Sequence, residues 1–364
     1  MSVSAIILAA GEGTRMRSSR PKPLHLICGR AMVLHVIHSL EHLSPDRTAV
    51  VVGHGAEQVT KKVQLMAPVW ANVAFVEQHE QNGTGDAASI GMTAFGGDDY
   101  DDDSTIVVLP GDTPLLRPET LRELVNTHVE CGNAATLLTS LVDDPTGYGR
   151  VIRKADGQAA RIVEHRDAAP DELDVNEICT SIYAFRRDLL GPALRKLTTD
   201  NAQGEYYLTD VISVLGAMGH RIGVVQAPAG ETQGVNDRWQ LALAERELRA
   251  RTNRLHLLGG VTMLDPRQTF IDVTVTIGRD VTLYPGTILQ GFTVIGDGCE
   301  IGPDTRLVDC AVGHDAVVEH TVGHDAEVGP AAIVGPYAYL PAGSSVASNS
   351  TTGASASASA SASA

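Results

Sequence analysis

The apolar positions of this chain follow different rhythms in different stretches. Short apolar runs at Ala5–Ala9, Thr48–Val52, Val73–Val76 and Thr105–Leu109 read as buried strands. Between them, Met32–His42 and Pro118–Cys131 carry the spacing of covering helices. That alternation predicts an α/β domain with a mostly parallel sheet, over residues 1–235. From Asn236 to about Leu257 the text turns to Arg, Glu, Leu and Ala with few breakers, which predicts one long linker helix over 236–258. Aliphatic residues then recur at every sixth position: Ile277, Leu283, Leu289, Ile295, Ile301 and Leu307. After a slip, Val312 and Val318 keep the step, and Val322, Val328, Val334 and Leu340 resume it. Glycine follows the aliphatic position at Gly278, Gly296, Gly302, Gly313, Gly323, Gly329 and Gly335. A period of six is the hexapeptide repeat of a parallel β-helix, in which one aliphatic per step points inward. The reading places that β-helix over 259–346, ends its repeat near Leu340 and makes 347–364 a low-complexity tail.

Candidate chemistry gathers where strands should end. The first apolar run breaks at Leu8-Ala9-Ala10-Gly11-Glu12-Gly13-Thr14-Arg15-Met16, and Arg20-Pro21-Lys22-Pro23-Leu24-His25 follows. Glycine turns let backbone N–H groups approach phosphates and form an anion-binding concavity. Arg15 and Lys22 bring the charge to neutralise a triphosphate. The turn lacks the Gly-Lys-Ser/Thr of a Walker loop, and Met16 stands where a dinucleotide fingerprint needs its third glycine. The strand Val107–Leu109 ends in Pro110-Gly111-Asp112. Two readings are open for Asp112: a metal ligand at a strand's carboxyl end, or a cap for the helix near Pro118. The Gly11 loop on a sister strand favours the metal, and magnesium suits an oxygen ligand that shares its shell with phosphates and water. At Gly234-Val235-Asn236-Asp237-Arg238, Asn236 or Asp237 is also readable as a plain cap of the long helix.

The chain has 364 residues and a formal charge of −16, which argues against a nucleic-acid partner. Arg15, Arg17, Arg20 and Lys22 reverse that charge locally, as anionic substrates require. The acidic run Asp98–Asp103 reads as a solvated loop. Cys28, Cys131, Cys179, Cys299 and Cys310 show no C-x-x-C spacing, so reduced thiols in a cytoplasmic protein are expected. There is no signal-peptide pattern and no run long enough to span a membrane. His314 and His324, in duplicated Gly-His-Asp-Ala segments, read as repeat corners in preference to a metal pair.

Leu-x-x-Gly-x-Gly-Thr-Arg-Met followed by Pro-Lys-x-Leu-His resembles the signature of sugar-1-phosphate nucleotidyltransferases. The ending at Lys22–His25 is most similar to the bacterial N-acetylglucosamine-1-phosphate uridyltransferase family. Further segments match in order: Gln78 with Gly83-Thr84-Gly85, then Asp144-Pro145-Thr146-Gly147-Tyr148-Gly149-Arg150, then Ile162-Val163-Glu164-His165. Asn201 to Asp210 and Gly-Val-Asn-x-Arg at Gly234–Arg238 complete the series. The resemblance implies a Rossmann-like nucleotidyltransferase domain followed by a short left-handed β-helix that forms homotrimers. It also implies Mg²⁺-dependent transfer from UTP to N-acetylglucosamine-1-phosphate, with Asp112 and Asn236 on the metal and Arg15 and Lys22 on the phosphates. Leu8, Ala9, Ala10, Gly11, Gly13 and Gly111 would surround the nucleotide; Gln78, Gly83 and Thr84 would read uracil; Gly149, Glu164, Cys179 and Asn236 would meet the sugar.

Two departures stand out. The family usually reads Glu-x-Asn-x-Gly where this chain has Glu177-Ile178-Cys179-Thr180-Ser181, so a thiol replaces a hydrogen-bonding amide. Cys179 also reads as a small buried hydrophobe. Either way the choice of sugar is open, with glucose-1-phosphate the alternative. Second, family members often acetylate glucosamine-1-phosphate on later coils, and here Leu340-Pro341-Ala342-Gly343 stands where they read Leu-Arg-Pro-Gly. Acetyltransferase activity is therefore expected to be absent. A binding or regulatory homologue without turnover is a further alternative, against which Lys22, Asp112 and Asn236 all stand.

Overall fold

The computed structural model describes residues 2–96 and 104–353. The acidic run Asp98–Asp103 and the Ala/Ser stretch from Ala354 lie outside the described residues. The chain divides into two compact units. One comprises Met1–His25 and Ala31–Leu241, the other Leu26–Arg30 and Ala242–Ala364. The division falls inside the long helix Arg238–Leu258.

The first unit is built on one sheet. Its strands are β1 (Val3–Leu8), β2 (Arg47–Val52), β3 (Val73–Glu77), β4 (Thr105–Pro110) and β5 (Ala135–Leu141). They continue with β6 (Arg150–Arg153), β7 (Ala159–Val163), β8 (Glu177–Arg186) and β9 (Ile222–Gln226). The order across the sheet is β9-β5-β8-β4-β1-β2-β3, with β6 paired to β8 and β7 to β6. β1 runs parallel to both β2 and β4. β8 runs antiparallel between β4 and β5, which the apolar runs did not reveal. Alternation along β1 sends Ile6 into one core and Ala5 and Ile7 into the other, so both faces of the sheet are covered. The covering helices Met32–Ser39 and Pro118–Glu130 end a little before the predicted limits.

In the second unit, three parallel sheets are laid down by successive coils of a left-handed hexapeptide β-helix. Leu283 stacks on Ile301, Leu289 on Leu307 and Ile295 on Val312. Two expectations are corrected here. Val322 faces solvent at 40% exposure, and Gly323 takes the inward place opposite Leu307. A side chain there would press on Leu307 and Cys310, so shortened coils fill their own interior. The repeat also does not end near Leu340. Val346 pairs with Val328 and Thr352 with Val334, so part of the predicted tail is strand. The step of six persists through Val346 and Thr352, but a threonine at the inward position hid it.

Candidate active site

Leu8 and Pro110 are register partners at the ends of neighbouring parallel strands, so the Gly11 loop and Asp112 leave the sheet side by side. Gly111 donates its N–H to the Leu8 carbonyl at 2.8 Å. A β-carbon at Gly111 would meet that carbonyl and the Ala9 methyl at 3.1 Å. The two loop glycines differ in purpose. Gly11 has open space where a side chain would stand, which leaves room for a ligand. Gly13 has φ 64°, and a β-carbon there would lie 2.5 Å from Lys22 Cβ. Its job is to let the Lys22 stem lie against the loop.

Lys22 Nζ forms an ion pair with Asp112 and donates to Asn236 Oδ1 at 2.9 Å. Arg15 Nη2 donates to the same Asn236 oxygen at 3.0 Å. The Lys22 side chain is 13% exposed, so its charge is poorly solvated and the carboxylate matters. Capping is thereby excluded for both candidate ligands. The Pro118 helix has Arg117 at its cap, with no side-chain bond. At the long helix, the Asp237 carboxylate accepts from Gln240 N at 2.8 Å, and Gln240 Oε1 accepts from Asn236 N at 2.7 Å. Asp237 and Gln240 thus share the capping duty, and the Asn236 side chain is left for Arg15 and Lys22. Two oxygen donors converge on one cation, which fits a divalent metal completed by phosphates and water. Among the described residues, no group of three or more His, Cys, Asp or Glu is placed to hold a metal.

Beside this cluster lies a cleft of about 510 Å³. Leu8, Ala9, Ala10, Gly11, Lys22, Gln78, Gly83, Thr84, Gly111, Asp112 and Glu164 all line it. Gly13, Arg15, Gly149, Cys179 and Asn236 do not. On the proposed base side, Gln78 Nε2 donates to Asp86 Oδ2 at 2.7 Å and to the Gly83 carbonyl at 3.3 Å. Two segments far apart in sequence are zipped together: Gly85 N donates to Tyr206 O, and Tyr206 N to Asn82 O. Thr84 Oγ1 accepts from Leu208 N at 3.1 Å. Gly83 adopts φ 107°, and any β-carbon would strike the Tyr206 carbonyl. On the opposite, proposed sugar side, Thr209 Oγ1 donates to Glu164 Oε1 at 3.1 Å. A β-carbon at Gly149 would sit 3.5 Å from both Glu164 oxygens. Burial raises the Glu164 pKa, opposed by the Thr209 hydrogen bond.

A family model for the MobA-like NTP transferase domain matches residues 5–261, and one for the bacterial transferase hexapeptide (six repeats) matches 274–308. The bifunctional protein GlmU of Streptomyces avermitilis is 48% identical over 352 residues, 96% of this chain and 72% of that protein. GlmU of Thermobifida fusca is 49% identical over 328 residues, 90% of this chain and 67% of the relative. GlmU of Geobacillus thermodenitrificans is 45% identical over 337 residues, 92% and 71% respectively. The chain belongs to the GlmU family. It is accordingly an enzyme, a UDP-N-acetylglucosamine diphosphorylase by class, with a nucleotidyltransferase unit and a hexapeptide unit.

In this GlmU chain, Cys179 does not reach the cleft in which the sequence places it. Cys179 is buried, with Sγ 3.1 Å from the Tyr183 hydroxyl, and burial pushes its thiol pKa up to about 12. It lies behind the cleft; Ser181 and Tyr183 are the residues of this strand that line it. Cys179 N donates to the Gly149 carbonyl at 2.8 Å, so its backbone holds the Gly149 loop. Ser181 sits at a bulge with φ 60°. Gln81, Gln203 and Tyr207 also line the cleft. The Asn201–Asp210 match pointed to the latter two, whereas nothing in the pattern singled out Gln81, whose Nε2 donates to the Ala10 carbonyl at 3.0 Å.

Proposed function

We propose that this chain transfers a uridylyl group from UTP to N-acetylglucosamine-1-phosphate, giving UDP-N-acetylglucosamine and pyrophosphate, with Mg²⁺ as its metal. The observation that carries the reading is the meeting of Arg15, Lys22, Asp112 and Asn236 at the ends of neighbouring strands beside an open cleft. Asp112 and Asn236 are the residues that would hold Mg²⁺, which when bound lends positive charge to the triphosphate. A sugar-phosphate oxygen attacks the α-phosphorus of UTP while the bond to pyrophosphate breaks. The attacking oxygen is already anionic, so no general base is needed, and positioning with charge neutralisation does the work. Lys22 serves the α-phosphoryl group, Arg15 the leaving phosphates, and the Leu8–Gly11 backbone the nucleotide. Gln78, Gly83 and Thr84 seat uracil; Gly149, Glu164 and Thr209 seat the sugar.

Pyrophosphate release from UTP and Mg²⁺ tests this, with N-acetylglucosamine-1-phosphate and glucose-1-phosphate compared directly. The amino sugar is expected to be preferred. A preference for glucose-1-phosphate would move the assignment to the second reading, which Cys179 in place of the family's asparagine favours. Asp112→Ala is expected to lower turnover by at least ~10²-fold in a folded protein, the scale on which losing a preorganised charge acts. Retained turnover would remove Asp112 from the metal role. A homotrimer through the hexapeptide unit and a cytoplasmic location belong to the same proposal, supported by the hexapeptide match and the free thiols. Acetyl transfer is no part of it. Release of free CoA from acetyl-CoA with glucosamine-1-phosphate would overturn that.

A further inference from the structure

Of the four groups proposed for phosphate and metal, Asp112 is held at the end of β4, and the other three come from separated stretches: Arg15 on one loop, Lys22 on the next, and Asn236 at the entry to the long helix. Phosphoryl transfer depends on holding such groups in register, because a misplacement of about 1 Å can cost ~10²-fold in rate. One side chain bonds all three stretches together. Arg238, the first residue of the long helix, follows Asn236 by two positions. Its Nε donates to the Met16 carbonyl at 3.1 Å, next to Arg15 in the turn Thr14–Met16. Its Nη1 donates to His25 Nδ1 at 3.2 Å, at the end of the turn Lys22–Leu24. The anchors are firm, since Met16 is 1% and His25 2% exposed.

The chemistry of this contact is constrained. A guanidinium only donates, so His25 Nδ1 must be bare and the ring neutral. Burial lowers the His25 pKa, and Arg238 and Arg20 lower it further, in keeping with that state. The helix does not need Arg238 for its start, because Asp237 and Gln240 already cap it. Arg238 does not line the cleft.

We propose that Arg238 is a positioning residue for uridylyl transfer: its guanidinium fixes the Arg15 turn and the Lys22 turn against the Asn236 segment. The inference rests on the function proposed above. The test uses the full chain with Arg238→Met and Arg238→Lys, both good helix formers, so that helix propensity is held nearly constant. The kcat and the KM of each substrate are measured, together with amide hydrogen exchange over residues 11–25. Arg238→Met is expected to lower kcat by roughly 10- to 100-fold, to raise the KM for UTP and to leave the KM for the sugar-1-phosphate unchanged. Exchange over 11–25 should quicken. Arg238→Lys, able to serve one acceptor but not both at once, should fall between. Parent-level kcat with unchanged exchange in either variant would overturn the proposal. So would equal damage to both KM values, which marks a general loss of structure. If Arg238→Met does not fold, Arg238→Lys decides by the same criteria. If the parent chain itself shows no UTP turnover, the functional reading fails, and the exchange data alone decide whether Arg238 holds these turns.

Discussion

Ser181 shows how a single residue can carry a cost that the family pattern avoids. Its φ of 60° lies in the left-handed region, at the bulge between Cys179 and Ile182. A side chain there costs about 1–2 kcal/mol. Glycine, which the family usually places here, would escape that cost but would gain about 0.4–1 kcal/mol of freedom in the unfolded chain. The balance favours glycine, so Ser181→Gly is expected to raise the thermal unfolding midpoint modestly. A lower midpoint would mean that the serine hydroxyl contributes more than the backbone strain removes. At the same scale, Asn236 and Asp237 divide two duties between adjacent positions. The carboxylate caps the helix, and the amide meets Lys22 and Arg15.

Among elements, the β-helix explains its own glycines. Gly278, Gly296, Gly313 and Gly329 follow inward aliphatics, and each is pressed against the next coil. A β-carbon at Gly296 would lie 2.7 Å from the backbone nitrogen of His314, and one at Gly313 would lie 2.6 Å from that of Pro330. Backbone cannot swing aside as a side chain can, so the coils themselves would have to part. Gly296→Ala is expected to destabilise the protein by about 1–3 kcal/mol, the range for overpacking. Chemical denaturation followed by circular dichroism would measure it, and an unchanged midpoint would show that the coils yield freely. In the nucleotidyltransferase unit, the pairing of Asn82–Gly85 with Tyr206–Leu208 does similar work between distant segments, joining proposed base-side residues to the segment that carries Thr209.

At the scale of the whole molecule, acid sensitivity is built in away from the site. His128 is 2% exposed, its Nδ1 lies 3.0 Å from Thr136 Oγ1, and burial pushes its pKa down to about 4, with Arg186 adding to the effect. In the unfolded chain the same ring titrates near 6.5. Between those values the unfolded chain binds a proton that the folded chain refuses, so stability falls as pH drops from 6.5 towards 4. The loss from this one group amounts to about 3 kcal/mol by pH 4. Urea unfolding of the parent and of His128→Leu from pH 7 to pH 4 should show a shallower acid limb in the variant. Parallel limbs would remove His128 from the account. The net charge of −16 acts on the molecule in a different way, opposing anionic substrates at long range. The cationic turns oppose it only where the phosphates are proposed to arrive.

Local rules determined the architecture in outline, because burial imposes a period on the text. Strand runs, the long helix and the step of six are all written in positions near one another. The Gly11 loop and the Gly111-Asp112 turn stood out locally because each ends an apolar run, whereas the metal role proposed for Asn236 came only from the family resemblance. What only the tertiary structure decided depends on partners distant in sequence. The antiparallel course of β8 follows from its neighbours β4 and β5, not from its own residues. Gly323 faces inward because Leu307 and Cys310 already fill the coil. Gly13 is required by the Lys22 stem, and Cys179 lies behind Tyr183 and Ser181, neither of which its own segment could announce. Periodicity records whether a side chain is buried; which side chain it is buried against is settled only when the chain closes on itself.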